Sequence, residues 1–103
     1  MGLDLLRGSG RAGGARRYRS RYELAALIIR AAMRPAHPME IVHQTRLNAS
    51  VVYRYLHSLV NAGLIRRGGG SKYEATPDGL EYLERYGRIK QLLEAMSPLH
   101  EER

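Results

Sequence analysis

The sequence predicts a mainly α-helical domain with one small β-hairpin, its elements in the order α-α-α-β-β-α and its last helix extended past the body. Three observations predict it. Ser20, Asn48 and Thr76 each stand where a helix N-cap belongs, just before an apolar-periodic segment. The segments Pro38–Gln44 and Asn48–Ala62 are separated only by Thr45, Arg46 and Leu47, the spacing of two helices joined by a tight turn. Three consecutive glycines, Gly68 to Gly70, lie between the short segments Leu64–Arg67 and Ser71–Ala75, which is a hairpin signal.

The elements follow in order. Residues 1–19 mix Arg with Gly and hold too little apolar surface to order themselves, so they read as a flexible basic arm carrying Arg16 and Arg17. Ser20 and Glu23 fit a capping box, and a first helix runs from there to about Arg34. Its expected apolar stripe is Leu24, Leu27, Ile28 and Ala31. Pro35 ends it, and Pro38 suits the first turn of a short second helix with Ile41 and Val42 facing inward. Asn48 caps the third helix, Val52, Leu56, Leu59 and Val60 form its inner face, and Gly63 stops it. After the hairpin, Thr76, Pro77 and Asp78 open a fourth helix that continues to about Met96.

Composition sets the broad class. The 103 residues suffice for one domain and no more. There is no cysteine, which removes disulfides, thiol chemistry and Cys-ligated zinc. No nucleophile–base pair, carboxylate pair or metal-spaced cluster stands out, so no enzymatic activity, cofactor or small-molecule substrate is expected. No segment has the length of a membrane span or a signal peptide, and a cytoplasmic, nucleoid-associated protein is expected. The net charge is +7, and fifteen of the seventeen cations are Arg, whose planar fork matches phosphate and guanine edges. Residues 1–76 hold thirteen Arg and Lys against four acids, whereas residues 77–103 hold four against six. The basic surface thus belongs to the part before the last helix, and a polyanion is the expected partner.

Together these features describe a winged helix-turn-helix at residues 20–76. If Val52, Leu56 and Leu59 anchor the third helix, its opposite face presents Ala49, Ser50, Tyr53, Arg54 and His57 to a major groove. Arg46 and Asn48 flank that face. Arg66, Arg67 and Lys72 border the glycine turn, where a wing can approach phosphates or a narrow minor groove.

The stretch from Ile41 through Gly63-Leu64-Ile65, followed by Tyr73, Thr76, Gly79, Leu83 and Tyr86, resembles the "ten-a" family of small archaeal winged-helix chromatin proteins, relatives of MarR-like and ArnR-like winged helices. The resemblance spans about residues 21–96. It implies sequence-tolerant duplex DNA binding and an antiparallel coiled-coil dimer. It also implies that Asn48, Ser50, Tyr53, Arg54 and His57 belong to a recognition helix, and Arg66 to Lys72 to a wing. Two departures stand out: Ala49 occupies a place where many relatives carry an aromatic, and the last helix is shorter than theirs.

The fourth helix explains the charge asymmetry. Leu80 and Leu83 are placed to pack back on the body, while Tyr82, Tyr86, Ile89, Leu93 and Met96 recur at heptad spacing. A homodimer through residues 77–97, with a short tail at 98–103 and some help from the first helix or from Leu3, Leu5 and Leu6, is expected. The predicted function is a dimeric duplex-DNA-binding protein of chromatin or architectural type. A local transcriptional repressor with a defined operator, and a ligand pocket between dimer helices, is the alternative. A protein-interaction winged helix is a third possibility, disfavoured by the basic, polar third helix.

Overall fold

The computed structural model describes residues 20–96; the expected arm with Arg16 and Arg17, the Leu3, Leu5 and Leu6 patch and the tail lie outside the described residues. Helix α1 spans Arg21–Ala31, α2 Pro38–Thr45 and α3 Ala49–Asn61; strands β1, Ile65–Arg67, and β2, Tyr73–Ala75, form a hairpin; α4 spans Pro77–Ala95. The chain therefore follows the predicted order, mainly helical with one small antiparallel hairpin.

The caps explain where the helices begin. Ser20 Oγ accepts the Glu23 amide at 3.1 Å, Asn48 Oδ1 accepts the Ser50 amide at 2.8 Å, and Thr76 Oγ1 accepts the Gly79 amide at 3.1 Å. At α2 the device is different: the Glu40 carboxylate reaches back to accept the His37 amide at 2.7 Å. The end of α3 is a Schellman motif: Gly63 lies at φ +80°, its amide donates to Val60, and the Leu64 amide donates to Leu59. Helix α1 ends at Ala31, three residues before the expected Arg34. Pro35 drives the residue before it out of helical geometry, and the segment beyond is held otherwise. Ala36 pairs with Tyr73 through two hydrogen bonds, 3.0 and 2.8 Å, so it adds a one-residue third strand to the outer edge of β2.

In the hairpin, Ile65 faces Ala75, Arg66 faces Glu74 and Arg67 faces Tyr73. The connection is a 3-10 turn at Gly69–Ser71, so β2 begins two residues later than Ser71, its expected start.

The core lies where α1, α2, α3 and β1 meet, and its largest fully buried side chains are Ile28, Ile29, Ile41, Val52, Leu56 and Ile65. On α3 the expected inner face holds, with Val60 half-buried. On α1 the face is rotated from the expected stripe. Ala25, Ala26, Ile28 and Ile29 are the buried residues of α1, while Leu24 and Leu27 are only half-buried. The reason is that α1 is covered on a second side by α4, which periodicity over α1 alone does not register. Tyr22 and Ile29 of α1 meet Tyr82 and Gly79 of α4 there.

Helix α4 has two parts. Its start is fitted to the body: Gly79 is buried, and a Cβ there would collide with the Leu64 carbonyl. Tyr82 and Leu83 pack against the core, and the Tyr82 hydroxyl donates to the Tyr22 carbonyl at 2.7 Å. Leu80, expected to pack inward with Leu83, is instead 45% exposed. It falls on the far side of the helix once Gly79 sets the rotation. Beyond Tyr86 the helix leaves the body, with Ile89, Leu92, Leu93 and Met96 all exposed. Among the described residues no helix is long and apolar enough to cross a membrane.

Candidate nucleic-acid interface

The outward face of α3 is built by its buried one. Val52, Leu56 and Leu59 lie in the core, so the opposite side carries Ser50, Tyr53, Arg54 and His57 into solvent, with Tyr53 50% exposed. Ala49 is half-buried at the start of the helix, and Tyr55 packs half-buried against the core. Asn48 does two things at once: its Oδ1 accepts the Ser50 amide and also the Ser50 hydroxyl, at 2.6 Å. Ser50 thus donates inward to the cap. One turn beyond His57, Asn61 approaches His57 Nε2 at 3.4 Å and extends the same face.

Arg46 is the C-cap of α2 in left-handed geometry, φ 62° and ψ 23°, with its amide on the Val42 carbonyl at 2.8 Å and its side chain exposed. Glycine is the usual occupant of such a position, because a Cβ costs about 1–2 kcal/mol there. The turn is braced from inside: Thr45 Oγ1 donates to the Ile41 carbonyl at 2.7 Å and accepts the Leu47 amide at 3.3 Å.

On the hairpin the cations are not equivalent. Arg66 pairs with Glu74 directly across the strands at 3.3 Å. Arg67 lies over the Tyr73 ring, 5.5 Å from its centroid. Lys72, next to the turn, is exposed, and no ion pair with it occurs among the described residues. Between Glu40 and Glu74 the chain carries five cations and no carboxylate, so the two-helix unit and the hairpin share one positive field.

A family model described as winged helix-turn-helix matches residues 18–94, most of the chain. The chain belongs to the winged helix-turn-helix family. In that frame α2, its turn and α3 are the helix-turn-helix, and β1, β2 and their turn are the wing. Among solved structures the chain resembles Sso10a-2, a DNA-binding protein from Sulfolobus solfataricus, at 20% identity with a TM-score of 0.73, covering 82% of this chain and 92% of that one. It also resembles a protein assigned as a transcriptional regulator from Pseudomonas aeruginosa, at 22% identity and a TM-score of 0.57, covering 78% of this chain and 62% of that one. At these identities the likeness establishes the fold. No curated protein sequence matches the chain significantly.

The winged-helix body thus gathers Arg46, Asn48, Ser50, Tyr53, Arg54 and His57 along the helix-turn-helix, and Arg66, Arg67 and Lys72 on the wing. Sequence reasoning missed the partners that restrain them. Glu74 and Tyr73 are legible only once the strand register is known, since each acts across the hairpin. Asn61 was legible from its spacing, one helical turn after His57. Arg21 was also missed: it stands at the first position of α1 and borders, with Arg54, a cleft between α1 and α3.

Proposed function

We propose that this protein binds duplex DNA as a homodimer, in an architectural manner with low to moderate sequence specificity, in the cytoplasm and on the nucleoid. The observation that carries the reading is the outward face of α3, anchored from behind by Val52, Leu56 and Leu59 and set in a stretch with no carboxylate between Glu40 and Glu74. Such a helix can enter a major groove while the wing lies along the flanking backbone. The left-handed Arg46 supports the same reading: a residue that strains its own backbone at the helix-turn-helix corner is retained where its charge is useful. Modest specificity follows from the short set of groups free to read bases. The Ser50 hydroxyl donates to Asn48 Oδ1 and Asn61 approaches His57 Nε2, which leaves Tyr53 and Arg54 as the side chains of that face without a hydrogen bond among the described residues. The DNA-binding role of Sso10a-2 gives the reading a precedent in the same fold.

Dimerisation through α4 is supported by Ile89, Leu92, Leu93 and Met96, an exposed apolar stripe on the half of the helix that leaves the body. Tyr86 stacks on Tyr82 at 6.2 Å and continues the stripe toward the core. In this reading the division of the chain is an arm, a winged helix at 20–76 and a dimerisation helix at 77–97, whose first turns double as part of the body.

The test is fluorescence anisotropy of labelled duplex across salt concentrations. With about 6–10 phosphates neutralised per dimer, affinity falls about 10³–10⁵-fold between about 50 and 200 mM salt. A salt-independent affinity overturns the reading. Selection of bound fragments from a random duplex pool separates the two modes: a sharp motif assigns a local repressor with an operator, and its absence an architectural protein.

A further inference from the structure

The wing sorts its two arginines by face. Arg66 and Arg67 are consecutive on β1, so their side chains leave opposite faces of the hairpin. Residues directly across a hairpin share a face. Arg66 therefore stands with Glu74, and Arg67 stands with Tyr73 on the side of the buried Ile65. Each arginine meets a partner of different chemistry there. Arg66 Nη2 lies 3.3 Å from a Glu74 carboxylate oxygen, and the Arg67 guanidinium carbon lies over the Tyr73 ring, 5.5 Å from its centroid.

The two partners leave the wing with different charges. A carboxylate cancels the cation it pairs with. The face of an aromatic ring attracts a cation through its quadrupole and leaves the net charge in place. Arg66 with Glu74 is neutral as a unit, and Arg67 keeps a full positive charge. Arg67 is exposed, and no ion pair with it occurs among the described residues. The platform beneath it is fixed. The amide and carbonyl of Tyr73 both bond to Ala36, at 2.8 and 3.0 Å, and the half-buried ring packs against the core. With those backbone groups turned toward Ala36, Tyr73 faces Arg67 as a non-hydrogen-bonded pair, the arrangement that brings opposed side chains closest. A ring against the flat of a guanidinium leaves the N–H groups, which lie in the guanidinium plane, open to an acceptor. A long side chain held in this way has less rotamer freedom to lose when a partner arrives.

Phosphate is the acceptor that fits, because it is anionic and takes two parallel N–H bonds from one guanidinium. We propose that Tyr73 is a positioning residue that holds Arg67 as the wing's phosphate contact on duplex DNA, while Glu74 withdraws Arg66 from that role. The phosphate role rests on the DNA-binding reading above; the seating of Arg67 on Tyr73 does not. The Tyr73 hydroxyl has no hydrogen bond among the described residues, so the ring alone holds the arginine and a phenylalanine ring serves equally.

Two measurements on the full chain test the seating and the phosphate role separately. Without DNA, the Tyr73 ring current is expected to shift the Arg67 side-chain protons upfield. Tyr73→Phe keeps that shift and Tyr73→Leu abolishes it, with the folding of each variant checked by circular dichroism. With labelled duplex, anisotropy over a salt series reports the phosphate contacts. Arg67→Gln is expected to lower the slope of log affinity against log salt by about one, and Arg66→Gln by less. Tyr73→Leu is expected to weaken duplex binding about two- to tenfold, and Tyr73→Phe to restore it. Combining Tyr73→Leu with Arg67→Gln is expected to cost less than the sum of the two, because the ring acts through the arginine; a tyrosine that only stabilised the fold would leave the cost of Arg67→Gln unchanged. Arg67 protons without a ring shift overturn the seating. Additive losses overturn the positioning role, and a slope change from Arg66→Gln as large as that from Arg67→Gln overturns the division between the two arginines. Should Tyr73→Leu fail to fold, the ring shift in the parent and the comparison of the two arginine variants decide the matter. A chain with shifted Arg67 protons that binds no duplex overturns the DNA-binding reading and with it the phosphate role, and leaves the seating in place.

Discussion

Arg46 and Tyr82 show how single residues divide between holding the fold and presenting chemistry. Arg46 accepts a left-handed backbone at the corner between α2 and α3. In Arg46→Gly the strain relieved and the extra chain entropy of glycine are of similar size, so stability stays within about 1 kcal/mol of the parent. On the proposed reading DNA affinity falls, because a cation is lost from the surface that would face the duplex. Urea denaturation and anisotropy on the same variant check the two halves. Tyr82 is a structural tyrosine. Burial, then the neighbouring Tyr86, Tyr22 and Tyr55, raise its hydroxyl above the ordinary 10.0. An acid whose value is raised by folding contributes stability that is complete below the ordinary value and is lost as pH climbs through the raised one. The physical event is loss of the proton donated to the Tyr22 carbonyl. Unfolding midpoints in urea are therefore expected to hold up to about pH 10 and fall beyond it. Tyr82→Phe is expected to start lower and to decline less over the same alkaline range.

At the scale of elements, the corner between the wing and α4 is the tightest joint. Thr76 Oγ1 accepts the Gly79 amide and donates to the Gly63 carbonyl at 2.6 Å, so one hydroxyl links the end of α3 to the start of α4. Gly79 then lets α4 pass directly over Leu64. Gly79→Ala, which would be favourable in an ordinary helix, is expected to destabilise by about 1–3 kcal/mol because the colliding group is backbone and cannot turn aside. Chemical denaturation measures it, and an unchanged midpoint would show that the joint relaxes. Much of this scale was legible in advance. Ser20, Asn48, Gly63 and Thr76 announce helix ends through local hydrogen bonding, and local signals survive in one dimension. The third strand at Ala36 was not legible, since a strand of a single residue has no period, and its partner Tyr73 lies far along the chain. The buried face of α1 was misjudged for a similar reason: two neighbours share that helix, and no single stripe describes it. The outward face of α3 was legible because its anchors are periodic. The pairing of Arg66 with Glu74 and the placing of Arg67 over Tyr73 were not, because both depend on strand register.

At the scale of the whole molecule, the question is what covers the free half of α4. Leu93 is 59% exposed at the centre of the stripe. If two chains bury it against each other, Leu93→Glu removes about 1.5–3 kcal/mol of burial from each, which raises the dimer dissociation constant about a hundredfold or more. Sedimentation of parent and variant over a concentration series measures this, and a parent that sediments as a monomer throughout would overturn the dimer. The Thr76 and Gly79 joint then acquires a meaning beyond stability. It fixes the direction in which α4 departs, so a pair assembled on α4 would work as a ruler and not a tether. The interval between two reading heads would be written into one hydroxyl and one missing methyl group, and loosening that corner would blur the DNA spacing a dimer selects before it cost the protein its fold.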